Sequence, residues 1–167
     1  MKKHLATLVA ALTVCGAVHA TTSAPDYTLS VVLSHDGTPL ATSTSIIRDS
    51  LGNESPFLLA SGQSIGYGEC TKLANGIKLN ARQKFVGRRV EVETKKSESG
   101  SFDLVVSATD TVSTGIAKTG PADCVSEVVK TSGLDVQDIA VHLDSGKTVD
   151  VPLGDPHYKL VLKLVAE

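Results

Sequence analysis

The sequence predicts an all-β fold, an antiparallel β-sandwich or a partly closed barrel with one disulfide and at most one short helix. Three observations carry this expectation. Apolar residues recur at every second position through most of the chain, the spacing of a strand with one buried face. Runs of Gly, Asn, Asp and Ser punctuate those stretches at roughly even intervals, as turns between short strands do. Two cysteines, Cys70 and Cys124, remain once the leader is set aside.

The leader is MKKHLATLVAALTVCGAVHA, with Lys2 and Lys3 ahead of an apolar run and small residues up to Ala20. This is the pattern of a signal peptide over residues 1–20, cleaved after Ala20. Its apolar run, Leu5 to Val14, is shorter than the ~20 residues a spanning helix needs, and no second run of that length follows. Cys15 invites a lipidation reading, but a lipobox carries Gly, Ala or Ser before its cysteine, and Val14 stands there. The mature chain is therefore expected to be periplasmic or secreted and to carry no integral membrane segment. It divides into a flexible lead over 21–26 and a single β-rich domain over 27–167.

The strands follow in order. In YTLSVVLS, Tyr27, Leu29, Val31 and Leu33 share one face, and His35-Asp36-Gly37-Thr38 supplies turn chemistry before Leu40 to Ile47 alternates again; together these predict a hairpin. Phe57 to Ser61 reads as a strand. Val90 and Val92 alternate with Glu91 and Glu93, Lys95 to Gly100 form a polar turn, and Phe102, Leu104 and Val106 return with a matching apolar face. A further hairpin is expected from IAVHLD (139–144) and KTVDVPL (147–153), joined around Ser145-Gly146. The last run places Tyr158, Leu160, Leu162 and Leu164 on one side, closing the core. Two segments invite a helix: CVSEVVKTSG, residues 124–133, through the spacing of Val125, Val128 and Val129, and TKLANG, residues 71–76, which is too short to matter.

An even pair of cysteines in an exported chain predicts a Cys70–Cys124 disulfide, because that compartment is oxidising. Closing a loop of this size stabilises the fold by about 4 kcal/mol in the chain-entropy model.

The stretch GQSIG, residues 62–66, matches the Gly-x-Ser-x-Gly pattern of a nucleophile elbow and nominates Ser64. An elbow requires a strand before the serine and a helix after it, yet Ile-Gly-Tyr-Gly-Glu-Cys is a poor helix start. Asp135 or Asp138 with His142 or His157 would complete a nominal triad, in a chain where such a match is nearly free. Gly62, Gly66 and Gly68 read better as bend or bulge positions within strands. A phosphate-loop reading fails as well, since no Lys and Ser or Thr follow the last glycine. Neither a catalytic residue nor an enzyme is expected.

Composition narrows the partners. Without residues 1–20, 14 Lys and Arg face 18 Asp and Glu, a balance that argues against nonspecific nucleic-acid binding. Arg88 and Arg89 are offset by Glu91 and Glu93. There is no Trp, and three Phe with three Tyr leave little for stacking platforms. His35, His142 and His157 lie far apart in sequence, so no metal or cofactor is expected, although His142 and Asp144 fall on one strand face.

Three stretches, taken in order, resemble the C-terminal β-region of bacterial secretins and related pilus-assembly proteins. PFLLASGQSIGY is similar to their segment with a Gly-Gln pair, VGRRVEVETKKSESGSFDLVVSATDT to the Gly-led strand, turn and strand that follow, and VQDIAVHLDSGKTVDVPLG to the later strand pair. The double glycine usual after the third stretch is absent. The resemblance implies β-architecture in the cell envelope and carries over no gate or pore. The functional expectation is an exported, non-catalytic protein-binding module associated with secretion or pilus assembly, its partner an envelope or surface protein. A pilin-like or adhesin-like structural subunit is the alternative, and a serine hydrolase using Ser64 the third.

Overall fold

Residues 26–48 and 54–167 are described by the computed structural model; the signal peptide, Cys15, Ala20 and lead residues 21–25 lie outside the described residues. Eight strands are present and no helix among the described residues: β1 (Asp26–His35), β2 (Thr38–Arg48), β3 (Glu54–Leu73), β4 (Gly76–Glu98), β5 (Ser101–Thr119), β6 (Ser126–Asp144), β7 (Thr148–Val151) and β8 (Tyr158–Ala166). They form two antiparallel four-stranded sheets, ordered β2-β1-β8-β7 and β3-β4-β5-β6, not closed into a barrel. The chain is a β-sandwich, as the alternation predicts.

Alternation fixes which side of each strand is buried. Leu29, Leu33, Leu160, Leu162 and Leu164 of the first sheet meet Val90, Val92, Phe102, Leu104, Val106 and Leu143 of the second, all of them almost fully buried. Each such side chain contributes roughly 1.5–3 kcal/mol of hydrophobic stabilisation. Tyr27 packs edge-on against Phe102 across the two sheets, with ring centroids 5.3 Å apart. The β1–β2 hairpin turns at Asp36-Gly37 and the β4–β5 hairpin at Ser99-Gly100, all four residues with positive φ, the backbone that two-residue hairpin loops require. Lys95 to Glu98 stay in strand, so this second turn is tighter than expected.

Four details correct the sequence reading. Asp26, assigned to the lead, opens β1 and pairs with Arg48 at 2.6 Å. Residues 139–144 and 147–153 do not form a hairpin: β6 pairs with β5 while β7 pairs with β8. Gly146 N donates to Leu164 O and Leu164 N to Lys147 O, and these bonds carry the chain from one sheet to the other. The segment expected to be helical is strand from Ser126 onward, because its adjacent valines serve opposite faces: Val129 is buried and Val128 exposed. Finally, the β3–β4 register passes Gly62, Gly66 and Gly68 without a bulge; its irregularity lies between Glu54 and Phe57.

The strands of the second sheet are too long for the sandwich. β3 to β6 hold 20, 23, 19 and 19 residues against ten in β1. At ~3.4 Å per residue about half of each overshoots the covering sheet. That overshoot forms the most unusual part of the molecule.

Candidate functional site

The second sheet splits where it leaves the sandwich. Pairing between β4 and β5 runs from Glu98↔Ser101 only as far as Arg88↔Asp110. Beyond that line β3 with β4 and β5 with β6 continue as separate two-stranded ribbons. Glycines mark the boundary. Gly62 pairs with Gly87, and Thr111 pairs with Gly133. A Cβ on Gly62 would lie 2.8 Å from Gly87 Cα and collide with the Val86 carbonyl; one on Gly133 would collide with the Asp110 carbonyl. The backbones approach too closely here for any side chain, which is why glycine occupies these places.

A polar clasp holds the same waist to the first sheet. Arg88 Nε donates to Asp110 Oδ1 at 3.1 Å and Arg88 Nη1 to the Leu40 carbonyl at 2.8 Å, while the Tyr158 hydroxyl donates to Asp110 Oδ2 at 3.2 Å. Burial, then the Asp110 charge, pushes the Tyr158 phenol above its ordinary value. The clasp joins β2, β4, β5 and β8.

Past the waist the outer strands β3 and β6 converge. Cys70 and Cys124 are disulfide-bonded with Cα atoms 5.4 Å apart, as the sequence predicts. Around the bridge, Cys70 N donates to Ser126 Oγ at 2.9 Å, Gly68 N to Glu127 Oε2 at 3.3 Å, and Lys72 pairs with Asp123 at 2.7 Å. Seven of the ten exposed large apolar side chains among the described residues sit on these ribbons. Leu73, Ile77 and Leu79 lie at the end of β3–β4; Val112, Ile116, Val125 and Val128 lie along β5–β6. Residues 62–87 and 111–133 carry six Lys and Arg against three Asp and Glu, whereas the described remainder carries eight against fourteen. The ribbons are thus a basic, apolar projection from an acidic body.

Ser64 lies within this projection, mid-strand and exposed, opposite Phe85. No helix follows it and β3 runs on to Leu73, so the elbow is not formed. The nominal partners of the triad are elsewhere. Gln137 donates to Asp135, the Asp138 amide donates to Ser107, and neither aspartate reaches a histidine.

The histidines sit in two polar clusters on the body. His142 Nδ1 is 2.8 Å from Asp103, its Nε2 is 3.1 Å from Ser101 Oγ, and the Ser101 hydroxyl donates to Asp144 at 2.7 Å. The line Ser101–His142–Asp103 has triad-like spacing, yet the serine hydroxyl donates to Asp144. The hydrogen bond that Asp103 accepts, then the Asp144 charge, raises the His142 pKa. Sequence pattern missed this group because Asp103 and His142 meet only across the β5–β6 register. His157 is bonded to Asp36 at 2.8 Å, with His35 beside it, at the opposite pole of the chain order. This bond raises the His157 pKa and lowers that of Asp36. Among the described residues, no group of three or more His, Cys, Asp or Glu is arranged to hold a metal ion, and no helix is long and apolar enough to cross a membrane.

Searches for related proteins return nothing: no family model, no curated protein and no solved structure matches the chain.

Proposed function

We propose that this chain is an exported envelope protein that acts as a non-catalytic protein-binding module, with the sandwich as its base and the stapled ribbons as its docking element. The observation that carries this reading is the placement of the exposed apolar side chains. The body hides most of its apolar residues between two sheets, leaving Ile46, Leu58 and Val165 exposed, while Val112, Ile116, Val125 and Val128 are left open along β5–β6 and the segment joining them. Exposed apolar area concentrated on one projection is the usual mark of a contact surface. The disulfide fits an oxidising compartment and supports the signal-peptide reading of residues 1–20. The likeness to secretin and pilus-assembly sequences is the ground for placing the partner among envelope-assembly or surface proteins.

A pilin-like or adhesin-like structural subunit is the second reading. Against it, the centre of the first sheet is filled by the chain's own β8, between β1 and β7, so no donated strand is needed. The strand that continues past Ser64 gives the hydrolase reading no support from the elbow.

The test is site-specific photo-crosslinking in the envelope with a photoreactive residue at Ile116 or Val128, and at Ser30 on the body as control. A discrete adduct with one envelope protein, formed at the ribbon positions alone and lost on Val128→Asp in the Ile116 probe, is expected. Adducts equally distributed over all three positions would sink the proposal.

A further inference from the structure

The end of the β3–β4 ribbon differs from the β5–β6 flank. The disulfide and the Lys72–Asp123 ion pair fix the end of the second ribbon at the level of Cys70 and Lys72. From there β3 and β4 continue alone to the turn at Ala74-Asn75, and every residue from 71 to 79 is exposed. We propose that this projecting end, residues 72–79, is a tip that seats in an anionic phospholipid surface.

Register supplies the first argument. Leu73 is paired with Gly76, and Thr71 with Lys78, so Leu73 and Lys78 share one face of the ribbon; Lys72 is paired with Ile77 and Cys70 with Leu79, so Ile77, Leu79 and Lys72 share the other. Both faces therefore carry apolar side chains and a lysine. A groove on a folded partner covers one face of such a ribbon and leaves the other in water. A lipid interface surrounds both. Ile77 lies beside the turn, and Leu79, the most exposed of these side chains at 77%, stands three residues from Gly76, where β4 begins. At ~3.4 Å per residue that is roughly 10 Å, at the inner limit of the ~5–10 Å to which interfacial segments bury their apolar side.

Charge supplies the second argument. The turn itself, Ala74-Asn75-Gly76, holds no ionised group. Lys78 lies immediately behind it, where lysine can lay its methylenes along the apolar side chains and keep its ammonium among headgroups, while Lys72 is held by Asp123. Among the described residues Lys78 has no carboxylate within ion-pairing distance. An anionic surface attracts the ribbons, with their surplus of basic residues, and repels the acidic body, which orients the molecule tip first.

This inference rests on the envelope location given above but not on the protein contact along β5–β6. Its test is flotation of the purified protein with vesicles of phosphatidylcholine alone or mixed with phosphatidylglycerol. Wild type should partition onto the mixed vesicles and only weakly onto the neutral ones. Leu79→Asp and Ile77→Ser should each lower the partition coefficient at least tenfold, and Lys78→Gln about fivefold, the equivalent of roughly 1 kcal/mol per basic residue at such a surface. Ile116→Asp should leave it unchanged. Because Leu79 is exposed, its variant should keep the wild-type melting temperature, and Ile77→Ser serves as a second probe. Absence of partition, equal partition onto neutral vesicles, or partition indifferent to the tip variants would overturn the proposal. So would a wild-type oligomer in sedimentation that Leu79→Asp dissolves, since the tip would then contact a second copy. Failure of wild-type ribbon positions Ile116 and Val128 to form any photo-crosslinked adduct, with partition intact, would count against the protein-binding reading alone.

Discussion

The two halves of the second sheet are built from the same strands but stabilised in different ways. Near the turn at Ser99-Gly100, β4, β5 and β6 lie beneath the first sheet, and Val92, Phe102, Val106 and Leu143 are completely buried. Beyond Gly62, Gly87 and Gly133 the first sheet no longer covers them, and although Val86 and Val129 are buried, seven large apolar side chains are exposed. A two-stranded ribbon alone is at best marginally stable in water. The ribbon half substitutes a covalent bridge and a few polar bonds for a core. What the comparison teaches is that a strand's length and its burial are set separately: pairing extends the sheet, and only packing makes a core.

The largest effect should come from removing the bridge. Replacing Cys70 and Cys124 together by Ser forfeits about 4 kcal/mol in the chain-entropy model, the loop being closed over a separation of 54 residues. If the two halves are independently supported, hydrogen exchange should accelerate across residues 64–85 and 113–131 and stay slow at Leu29, Leu104 and Leu162. Equal acceleration in the body strands would show a single cooperative unit and break the distinction.

A smaller effect is expected at the waist, which belongs to both halves. The Arg88 and Asp110 side chains are 29% and 21% exposed, so the pair is shielded enough for its removal to register. Asp110→Ala strands Arg88 Nε and the Tyr158 hydroxyl and should cost about 1–3 kcal/mol. Urea denaturation should show a lower midpoint with an unchanged slope. An unshifted midpoint would mean that the sheets hold together without the clasp.

The same division governs how much was legible in the sequence. Tyr27 to Leu33, Phe102 to Val106 and Leu160 to Leu164 alternate cleanly because one face meets the core and the other meets water, and these strands are read directly. In the ribbons both faces meet solvent for most of their length, so the alternation that identifies a strand is missing. Val128 is left exposed beside the buried Val129, and with Val125 their spacing imitates a helix; the β-branched run Val125, Val128, Val129 and Thr131 was the signal that favoured strand. The bridge was legible from cysteine parity alone. The Gly62–Gly87 contact was not, because a close approach of two backbones depends on register, which single-sequence spacing does not contain. Nor could the Asp103–His142 and Asp36–His157 pairs be read, each being made across a sheet.

Those two pairs provide the smallest and most selective test of the comparison, because all described histidines lie on the body and none on the ribbons. Hydrogen bonds accepted by Asp103 and Asp36 raise the pKa of His142 and of His157 above the ordinary 6.5. A group whose folded pKa is raised contributes stability that is fully present below its unfolded value and is lost as pH rises through the folded one. Asp36, lowered by its bond to His157, acts in the opposite direction: its contribution is present above the ordinary 3.8 and is lost as pH falls through the lowered value. The body should therefore be most stable between the carboxylate and imidazole ranges and should lose a little stability as pH rises above the ordinary imidazole value through the raised ones. Both sites are solvent-exposed, so the loss should be slight and should shrink further with added salt. Imidazole resonances followed by NMR should titrate above 6.5 for both residues, and His142→Asn with His157→Asn should flatten the pH dependence of the melting temperature. Exchange in the ribbons, corrected for the intrinsic effect of pH, should not follow that titration. Imidazoles titrating at or below 6.5 would remove the basis for the effect, and ribbon protection that tracks them would show that the waist transmits what the body feels.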